Sequence, residues 1–278
     1  EPLLGLDAIQ CISGEIVAFC SDHAIDYYSE IITNGFYLTE DVAKLLNDKC
    51  KVSSAQITLD GPENIYETLK VTPTGAYRKV IDNIKSSSRF IKIVIRLNIP
   101  EYFYPSLNNY IDSLMLDLKD SHVKLYLAEI CDDWVDFSEK KIAQPTSYWN
   151  QNRLFIKYMN DKYPNALAKS ELPIAFSGMK CGMIKKQNVT IGVNGELYRC
   201  VHMVGRSNEI IGTCTDGYYY NDADTKFDAI NHPICCRTCI VFPICMTGCP
   251  NDIVEGKMRT RCDEKREAII EDLISQII

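Results

Sequence analysis

The sequence predicts an α/β protein in two parts: a parallel sheet whose strands alternate with helices, followed by a cysteine-rich module. Short apolar runs rich in β-branched residues recur roughly every 30 residues as far as residue 130, and helical patterns separate them. A pattern of seven cysteines, out of 13 in the chain, then lies between Cys181 and Cys262. We therefore predict two domains, at 1–170 and 171–278.

The composition is that of a globular protein, with 46% hydrophobic and 24% charged residues in a chain of 278. The net charge of −7 and the lack of a basic block argue against nucleic acid as a partner. No apolar run is judged long enough to span a membrane, and no signal peptide is recognised, so we expect a cytoplasmic protein. The chain begins at Glu1 in mid-pattern, from which we expect a fragment or a processed start. The sequence does not indicate an oligomeric state.

The elements of the first part follow from hydrophobic periodicity. Residues 6–23 are apolar at helical spacing and are predicted to form a helix. Strands are predicted at 27–32, 55–59, 92–99 and 123–130, where β-branched residues cluster. Three helices lie between the strands, with predicted N-caps at Thr39, at Thr72 (followed by Pro73 at the first helical position) and at Ser106.

Four such units predict a parallel sheet that is part of either a doubly wound fold or a barrel. In both folds ligands bind at the C-terminal ends of the strands. The residues expected at that edge are Thr33-Asn34-Gly35, Asp60-Gly61-Pro62, Asn98 and Glu129.

The second part follows a bridging region, 131–170, in which a helix is predicted at about 148–163. Asn194-Gly195, between two apolar runs, predicts a β-hairpin that brings Cys181 and Cys200 together. The tail from Asp263 carries isoleucine and leucine at helical spacing. It is predicted to form an amphipathic helix packed on the module.

The cysteine spacing is the strongest indication of chemistry. It reads Cys-x13-Gly-x4-Cys from Cys181 to Cys200, then Cys-x2-Cys-x5-Cys-x3-Cys from Cys236 to Cys249, and ends at Cys262. Thiolates are soft ligands that suit iron–sulfur clusters, zinc or copper(I), and seven are too many for one tetrahedral site. We therefore expect two centres. The odd cysteine total argues against a disulfide framework, whereas structural zinc stays an alternative on ligand chemistry.

This cysteine pattern resembles the SPASM domain of radical S-adenosylmethionine (radical SAM) enzymes. The resemblance implies two auxiliary 4Fe–4S clusters in the second part. Their implied ligands are Cys181, Cys200 and Cys249 for the first cluster, and Cys236, Cys239, Cys245 and Cys262 for the second. Family members often supply a fourth ligand to the first cluster from an upstream cysteine. Here an open iron, Cys214 or a substrate sulfur is expected in its place.

The first part resembles the radical SAM family in segments that occur in the family's order. They are Glu1-Pro2-Leu3-Leu4, Thr33-Asn34-Gly35, the strand ending in Asp60-Gly61-Pro62, and the strand 93–99. The resemblance implies an incomplete radical SAM (β/α) barrel ahead of the SPASM module. It also implies that Glu1 binds the amino group of S-adenosylmethionine, that Thr58 contacts its ribose or carboxylate, and that Arg96 pairs with its carboxylate. As purely structural residues, Thr58 would bond to backbone and Arg96 would pair with a neighbouring acid.

The chain departs from the family at several positions. Tyr66-Glu67 and Leu69-Lys70 stand where the family usually has a His-Asp pair and an arginine. Val201 follows Cys200, where the sulfatase-maturing branch places an aspartate base, so we prefer a peptide-modifying enzyme. The nearest candidate base is His202. No Cys-x3-Cys-x2-Cys triplet is present to bind the S-adenosylmethionine cluster, so the chain alone is not expected to cleave that cofactor.

We therefore predict the C-terminal portion of a radical SAM/SPASM enzyme that modifies a peptide or protein substrate. It would carry two auxiliary 4Fe–4S clusters, while S-adenosylmethionine and a third 4Fe–4S cluster would belong to the complete parent protein. Two alternatives stay open: a non-catalytic iron–sulfur electron-transfer or peptide-binding scaffold, and a zinc-stabilised binding module. No catalytic residue is assigned.

Overall fold

The computed structural model describes residues 1–128, 148–168, 181, 188–228, 234–245, 249–254, 266–267, 269–270 and 274. The chain divides into two compact units, Glu1–Lys169 and Ser170–Ile278. The predicted residue Glu129, the cluster ligand Cys262 and most of the predicted tail helix lie outside the described residues.

The first unit is built on a four-stranded parallel sheet whose strands lie side by side in chain order. Its strands are β1 (Ser29–Thr33), β2 (Val52–Leu59), β3 (Lys92–Leu97) and β4 (Val123–Leu127). Beyond β4, Leu125 forms a parallel bridge with Leu167. The prediction of an α/β protein with a parallel sheet is confirmed, and each predicted strand is present within a few residues of its expected bounds.

The helices of this unit are α1 (Leu6–Asp22), α2 (Glu40–Cys50), α3 (Glu63–Lys70), α4 (Ala76–Ser87), α5 (Leu107–Asp117) and α6 (Tyr148–Lys162). Two 3-10 turns, Pro2–Gly5 and Glu101–Ser106, precede α1 and α5. The N-cap at Thr39 is confirmed, because its hydroxyl accepts a hydrogen bond from the Val42 N–H at 3.4 Å. Ser106 occupies the cap position of α5 without a side-chain bond, because the preceding 3-10 turn already leads the chain into the helix.

The predicted cap at Thr72 is wrong. The helix begins at Ala76, after Gly75 in a left-handed conformation with φ of 86°. The Thr72 hydroxyl is instead buried without a hydrogen-bond partner among the described residues. The sequence reading also missed α3. That helix is one of the shortest in the unit, and only its Tyr66 is buried, so it leaves little periodic signal.

The two faces of the sheet differ in chemistry. Alternate residues of every strand enter the main core, for example Ile57 in β2, Ile95 in β3 and Leu125 in β4, all at 0% exposure. The intervening residues contribute nothing to that core. They include Ile32 and Val94, in register with Gln56, and the polar residues Gln56, Thr58, Arg96 and Tyr126. Parallel strands are usually apolar on both faces, so a polar face indicates that this side of the sheet lines a site. We call it the polar face.

The second unit contains a small antiparallel sheet and several short helical segments. Its elements are β5 (Thr190–Ile191), β6 (Glu196–Tyr198), β7 (Gly212–Thr213), β8 (Gly217–Tyr218), α7 (Asp222–Thr225), α8 (Ile234–Arg237), α9 (Phe242–Cys245) and α10 (Pro250–Val254). In the part that the structure describes, its apolar core consists of Tyr198, Met203 and Phe227, with Cys200, Ile210 and Val254 packed partly against them.

The hairpin predicted at Asn194-Gly195 is confirmed by the antiparallel pairing of β5 with β6. Gly195 has φ of 87°, and its N–H donates to the Gly192 carbonyl at 3.1 Å. Glu196 accepts hydrogen bonds from both the backbone and the side-chain nitrogen of Asn194. A glycine is required at this turn because the left-handed backbone is costly for other residues.

One expectation about membranes does not hold. Among the described residues, the stretch Pro2–Asp22 is long and apolar enough to cross a membrane by length and composition, with mean hydropathy 1.6. It lies near the N-terminus. Its first turns pack on the domain core through Leu3, Leu6 and Ile9. It also carries Asp7 and Glu15, and acidic side chains are costly in a bilayer.

Candidate functional site

The C-terminal edge of β1 holds the first predicted cofactor residue. The Glu1 carboxylate accepts hydrogen bonds from the Leu3 N–H at 3.0 Å, the Thr33 hydroxyl at 2.7 Å and the Asn34 N–H at 2.8 Å. Glu1 is itself exposed. Since a carboxylate has roughly four acceptor positions, these three donors fix its orientation and leave capacity for one more donor, such as an ammonium group.

Hydrogen bonds from neighbouring residues fix the turn that follows β1, next to Glu1. The Asn34 side chain accepts from the Phe36 N–H at 2.9 Å, and the Asn83 amide of α4 donates to the carbonyls of Gly35 and Phe36. Gly35 has φ of 79°, and a β-carbon there would lie 3.0 Å from Ile57. In the Thr-Asn-Gly sequence, the glycine allows the backbone to turn sharply against β2. This turn places the hydrogen-bond donors of Thr33 and Asn34 next to Glu1.

The C-terminal edge of β2 carries an ion pair. Asp60 lies 3.1 Å from the Lys70 ammonium, and that ammonium stands 5.3 Å from the centre of the Tyr66 ring. Tyr66 is 2% exposed. Burial raises the pKa of Tyr66 to about 12, and the carboxylates of Asp60 and Glu1 contribute to the rise. Glu1, Asp60 and Tyr66 are therefore electrostatic neighbours at this edge.

A row of polar side chains crosses the polar face near the same edge. Thr58, Arg96 and Tyr126 are register partners on β2, β3 and β4. Arg96 Nε donates to the Asn98 side-chain oxygen at 2.9 Å. Burial raises the pKa of Tyr126, and the neighbouring Arg96 guanidinium opposes that rise. The Tyr126 hydroxyl donates to the Gln56 side-chain oxygen at 2.7 Å. The Thr58 hydroxyl makes no hydrogen bond within the described residues, so the backbone partner expected for a structural threonine is not found.

In the second unit, the pKa of the Cys200 thiol is influenced by two other predicted cluster ligands. Burial raises the pKa of the Cys200 thiol, and the thiolates of Cys181 and Cys249 raise it further. The His202 N–H and the Arg206 guanidinium act in the opposite direction. Cys181, Cys200 and Cys249 come from distant parts of the unit, and they are the set that the family resemblance assigns to the first cluster.

The predicted ligands of the second cluster lie on consecutive short turns. The Cys239 N–H donates to the Cys236 carbonyl at 3.2 Å, and the Cys245 N–H donates to the Val241 carbonyl at 2.8 Å. All three cysteines are half-buried. Their fourth partner, Cys262, is outside the described residues. Cys235, beside Cys236, is exposed.

The first set consists of thiols, which suit soft-metal chemistry. Across the described parts of the chain every cysteine is a free thiol, and no three His, Cys, Asp or Glu side chains are grouped closely enough to hold one metal ion. Thiolates are ligands of both iron–sulfur clusters and zinc, so the assignment of a cluster to this set stays a prediction.

Cys214, one of the possible further ligands of the first cluster, lies beside the hairpin turn. Its backbone N–H donates to the Gly195 carbonyl at 2.8 Å, and its side chain packs against Gly195. It is not assigned to the first cluster here.

Sequence reasoning did not identify Gln56, Tyr126, or the pairing of Asn98 with Arg96. The available signal was the alternation of polar and apolar residues along β2 and β4, which is unusual for a parallel sheet. A search for polar residues at alternate positions of successive strands would have found them. For Arg96, the sequence did not indicate the bond from its Nε to the Asn98 side-chain oxygen at 2.9 Å.

No family model matches the chain. The chain is 24% identical over 251 residues to a protein of Clostridium novyi (strain NT) described as a cysteine-type anaerobic sulfatase-maturating enzyme. The similarity covers 81% of this chain and 64% of that relative, so the chain spans a little under two thirds of the relative's length. At this identity the chain is related only loosely to radical SAM proteins, and through them to iron–sulfur and S-adenosylmethionine chemistry in general.

Proposed function

We propose that this chain is part of a radical SAM/SPASM enzyme that modifies a peptide or protein substrate, with two auxiliary 4Fe–4S clusters in the second unit. Its setting would be the cytoplasm. The observation that carries the proposal is the cysteine spacing from Cys181 to Cys262. The influence of Cys181 and Cys249 on the pKa of Cys200 supports it, because the resemblance assigns these three sequence-distant thiols to one cluster. The loose relationship to a sulfatase-maturating enzyme points in the same direction.

The first unit supports the same proposal through its topology. Strands in chain order with one apolar and one polar face are expected for a segment of a (β/α) barrel, whose inner face lines the site. A doubly wound sheet would instead reverse its strand order and be covered on both faces. We therefore interpret Glu1–Lys169 as an incomplete barrel, with the ligand at the C-terminal edge.

The residues of that edge have the chemistry to bind S-adenosylmethionine. Glu1 has acceptor capacity for the ammonium group, Arg96 carries a guanidinium whose charge is complementary to the carboxylate, and Thr58 offers a hydroxyl between them in the strand order. In radical SAM enzymes this cofactor supplies a carbon-centred radical that removes hydrogen from the substrate. The residues of this chain would bind and orient the cofactor, and the clusters in the second unit would serve substrate binding or electron transfer.

The substrate is proposed to be a peptide or an exposed segment of a protein. Val201 lacks the carboxylate base that the sulfatase-maturing branch has at this position, which favours another peptide substrate. His202 is the nearest side chain with suitable chemistry, and its own backbone N–H already contacts the Cys200 sulfur. It is proposed as a candidate base, and no other catalytic residue is assigned.

Metal analysis of cysteine variants tests the cluster proposal. Wild-type chain reconstituted without oxygen should bind about eight irons with matching sulfide. Cys200→Ala and Cys245→Ala should each lose about four, because each removes a ligand of a different cluster. Cys214→Ala and Cys235→Ala are matched controls from the same unit and should keep the wild-type iron content.

Two results would contradict the proposal. Stoichiometric zinc without sulfide would favour the zinc-stabilised module. Equal iron loss in the ligand variants and in Cys214→Ala would show that the cysteines act through general stability and not as the assigned ligands.

A further inference from the structure

We infer that α3 is a lid at the C-terminal edge of β2, and that the ion pair between Asp60 and Lys70 is the latch that holds it closed. The lid would control access to the edge of the sheet at which ligands of parallel α/β proteins bind. It does not depend on the proposed function, because the opening of α3 requires no particular cofactor or substrate.

The position of α3 places both of its ends near this edge. β2 ends at Leu59, and α3 begins at Glu63, after a turn of three residues. At the other end of the helix, the Lys70 ammonium lies 3.1 Å from the Asp60 carboxylate. The segment therefore leaves the edge at Asp60 and is tied back to it by its last helical residue.

Few apolar contacts hold α3 on the rest of the unit. Tyr66 is its one buried residue, and its ring meets that of Tyr77 in α4 edge to face, with 5.5 Å between the ring centres. The other contacts with α4 are polar. Glu67 accepts a hydrogen bond from the Tyr77 N–H at 3.2 Å, and Glu63 pairs with Arg78. A helix with one buried side chain opens locally at a smaller cost in free energy than a core helix.

The latch is more buried than the ion pair between Glu63 and Arg78. The side chains of Asp60 and Lys70 are 14% and 26% exposed, whereas those of Glu63 and Arg78 are 39% and 58% exposed. Solvent screens a partly buried pair less, so its loss has the larger effect. The Lys70 ammonium also stands 5.3 Å from the centre of the Tyr66 ring. The latch and the buried tyrosine therefore support each other.

The turn after α3 is strained in the closed position. Val71 has φ of 51°, in the left-handed region that is costly for a β-branched residue, and its side chain is exposed. The Thr72 hydroxyl is buried without a hydrogen-bond partner among the described residues. Opening would relieve both costs, because Val71 could leave this region and Thr72 could bond to water. Gly61 and Gly75, with φ of 135° and 86°, flank the segment and allow the backbone rotation of a hinge.

Amide hydrogen exchange of the full chain, read by mass spectrometry and corrected for intrinsic rates, tests the lid. In the wild type, residues 63–72 should exchange at least about 10-fold faster than α2, because the lid opens without global unfolding. Lys70→Met keeps an unbranched apolar stem beside Tyr66 and removes the charge. It should speed the exchange of residues 63–72 roughly 5-fold more. Val71→Asn places a residue that tolerates the left-handed region and should slow that exchange about 3-fold.

Lys85→Met is the matched control. Lys85 lies on α4, and its ammonium is 3.9 Å from Asp82 of the same helix, so its loss should leave the exchange of α3 unchanged. Oxidation of side chains by hydroxyl radicals gives a second measurement. Tyr66 should be oxidised faster in Lys70→Met than in the wild type, whereas oxidation of Tyr110, a buried tyrosine of α5, should not change.

Three results would overturn the inference. Exchange of wild-type residues 63–72 at the rate of α2 would show that α3 does not open separately. No effect of Lys70→Met, or equally faster exchange in α2 and α5, would show that the ion pair is not a specific latch. Faster amide exchange without faster oxidation of Tyr66 would show that the helix frays in place and does not move away from the edge.

Discussion

The hydrogen bonds that hold the Glu1 carboxylate in place can be tested by removing the Thr33 hydroxyl. Thr33 is 4% exposed, and its hydroxyl both donates to Glu1 at 2.7 Å and accepts from the Gly35 N–H at 3.1 Å. Thr33→Val keeps the shape of the side chain and removes both bonds. A bond to a charged group contributes about 1.5–3 kcal/mol and a neutral one about 1 kcal/mol. Allowing for the exposure of Glu1 and for the added methyl group, we expect the free energy of unfolding of the first unit to fall by about 2–3 kcal/mol.

The assay is urea unfolding followed by a probe confined to the first unit, with two controls. Thr33→Ser retains the hydroxyl and should lose less than Thr33→Val. Thr58→Val removes a hydroxyl that has no partner in the described residues, one residue further along the neighbouring strand. It should change stability by less than about 0.5 kcal/mol. If Thr33→Val and Thr58→Val lowered the free energy of unfolding equally, the bond from Thr33 to Glu1 would not contribute to stability. Thr33 would then not determine the geometry at Glu1.

Three further predictions follow from single residues. The folded-state pKa of Tyr66 is raised to about 12, so its contribution to stability is complete below the unfolded pKa near 10 and is lost as pH rises towards 12. Between pH 9 and pH 11 the wild type should lose about 1.3 kcal/mol more than Tyr66→Phe, measured by chemical unfolding, and equal losses would refute the burial argument. Gly35→Ala should cost about 2–4 kcal/mol through backbone strain and contact with Ile57, whereas Gly5→Ala, with open space around it, should cost little. Asp224→Asn should destabilise the second unit by about 3–5 kcal/mol, because Arg199 is 1% exposed and its Nε lies 3.1 Å from Asp224; an unchanged melting curve would contradict this.

The parts of the fold that the sequence predicted correctly are those with local causes. The N-cap at Thr39 and the Asn194-Gly195 turn are set by side-chain and backbone chemistry within a few residues. The N-cap predicted at Thr72 is wrong because Thr72-Pro73 was interpreted as the start of a helix. Gly75 adopts a left-handed conformation, and the helix begins only at Ala76. Gly75, five residues before the buried pair Val80-Ile81, was a competing signal, and tertiary packing of α4 decided between them.

The candidate site also contains residues that were predicted from the sequence and residues that were not. Glu1, Thr58 and Arg96 were reached through motifs, and the structure places each at the C-terminal edge or on the polar face. Their partners could not be predicted, because Gln56 and Tyr126 come together only when β2 and β4 are positioned on either side of β3. The hydrogen bond between them joins residues far apart in the sequence, and no local pattern encodes it.

The second unit raises a question of stability that bears on its chemistry. Its described apolar core is small, centred on Tyr198, Met203 and Phe227, yet it also buries Arg199, Glu209 and Asp224, which are the buried charged residues in the described part of the whole chain. Buried ion pairs fix one geometry but add little net stability, because desolvation offsets their attraction. Thiolates bound to a cluster would add to the stability of the unit, since metal binding to a site that is absent from the unfolded chain adds directly to folding stability. On this argument, removing iron should unfold the second unit before the first, whose apolar core is continuous from Leu3 to Leu167.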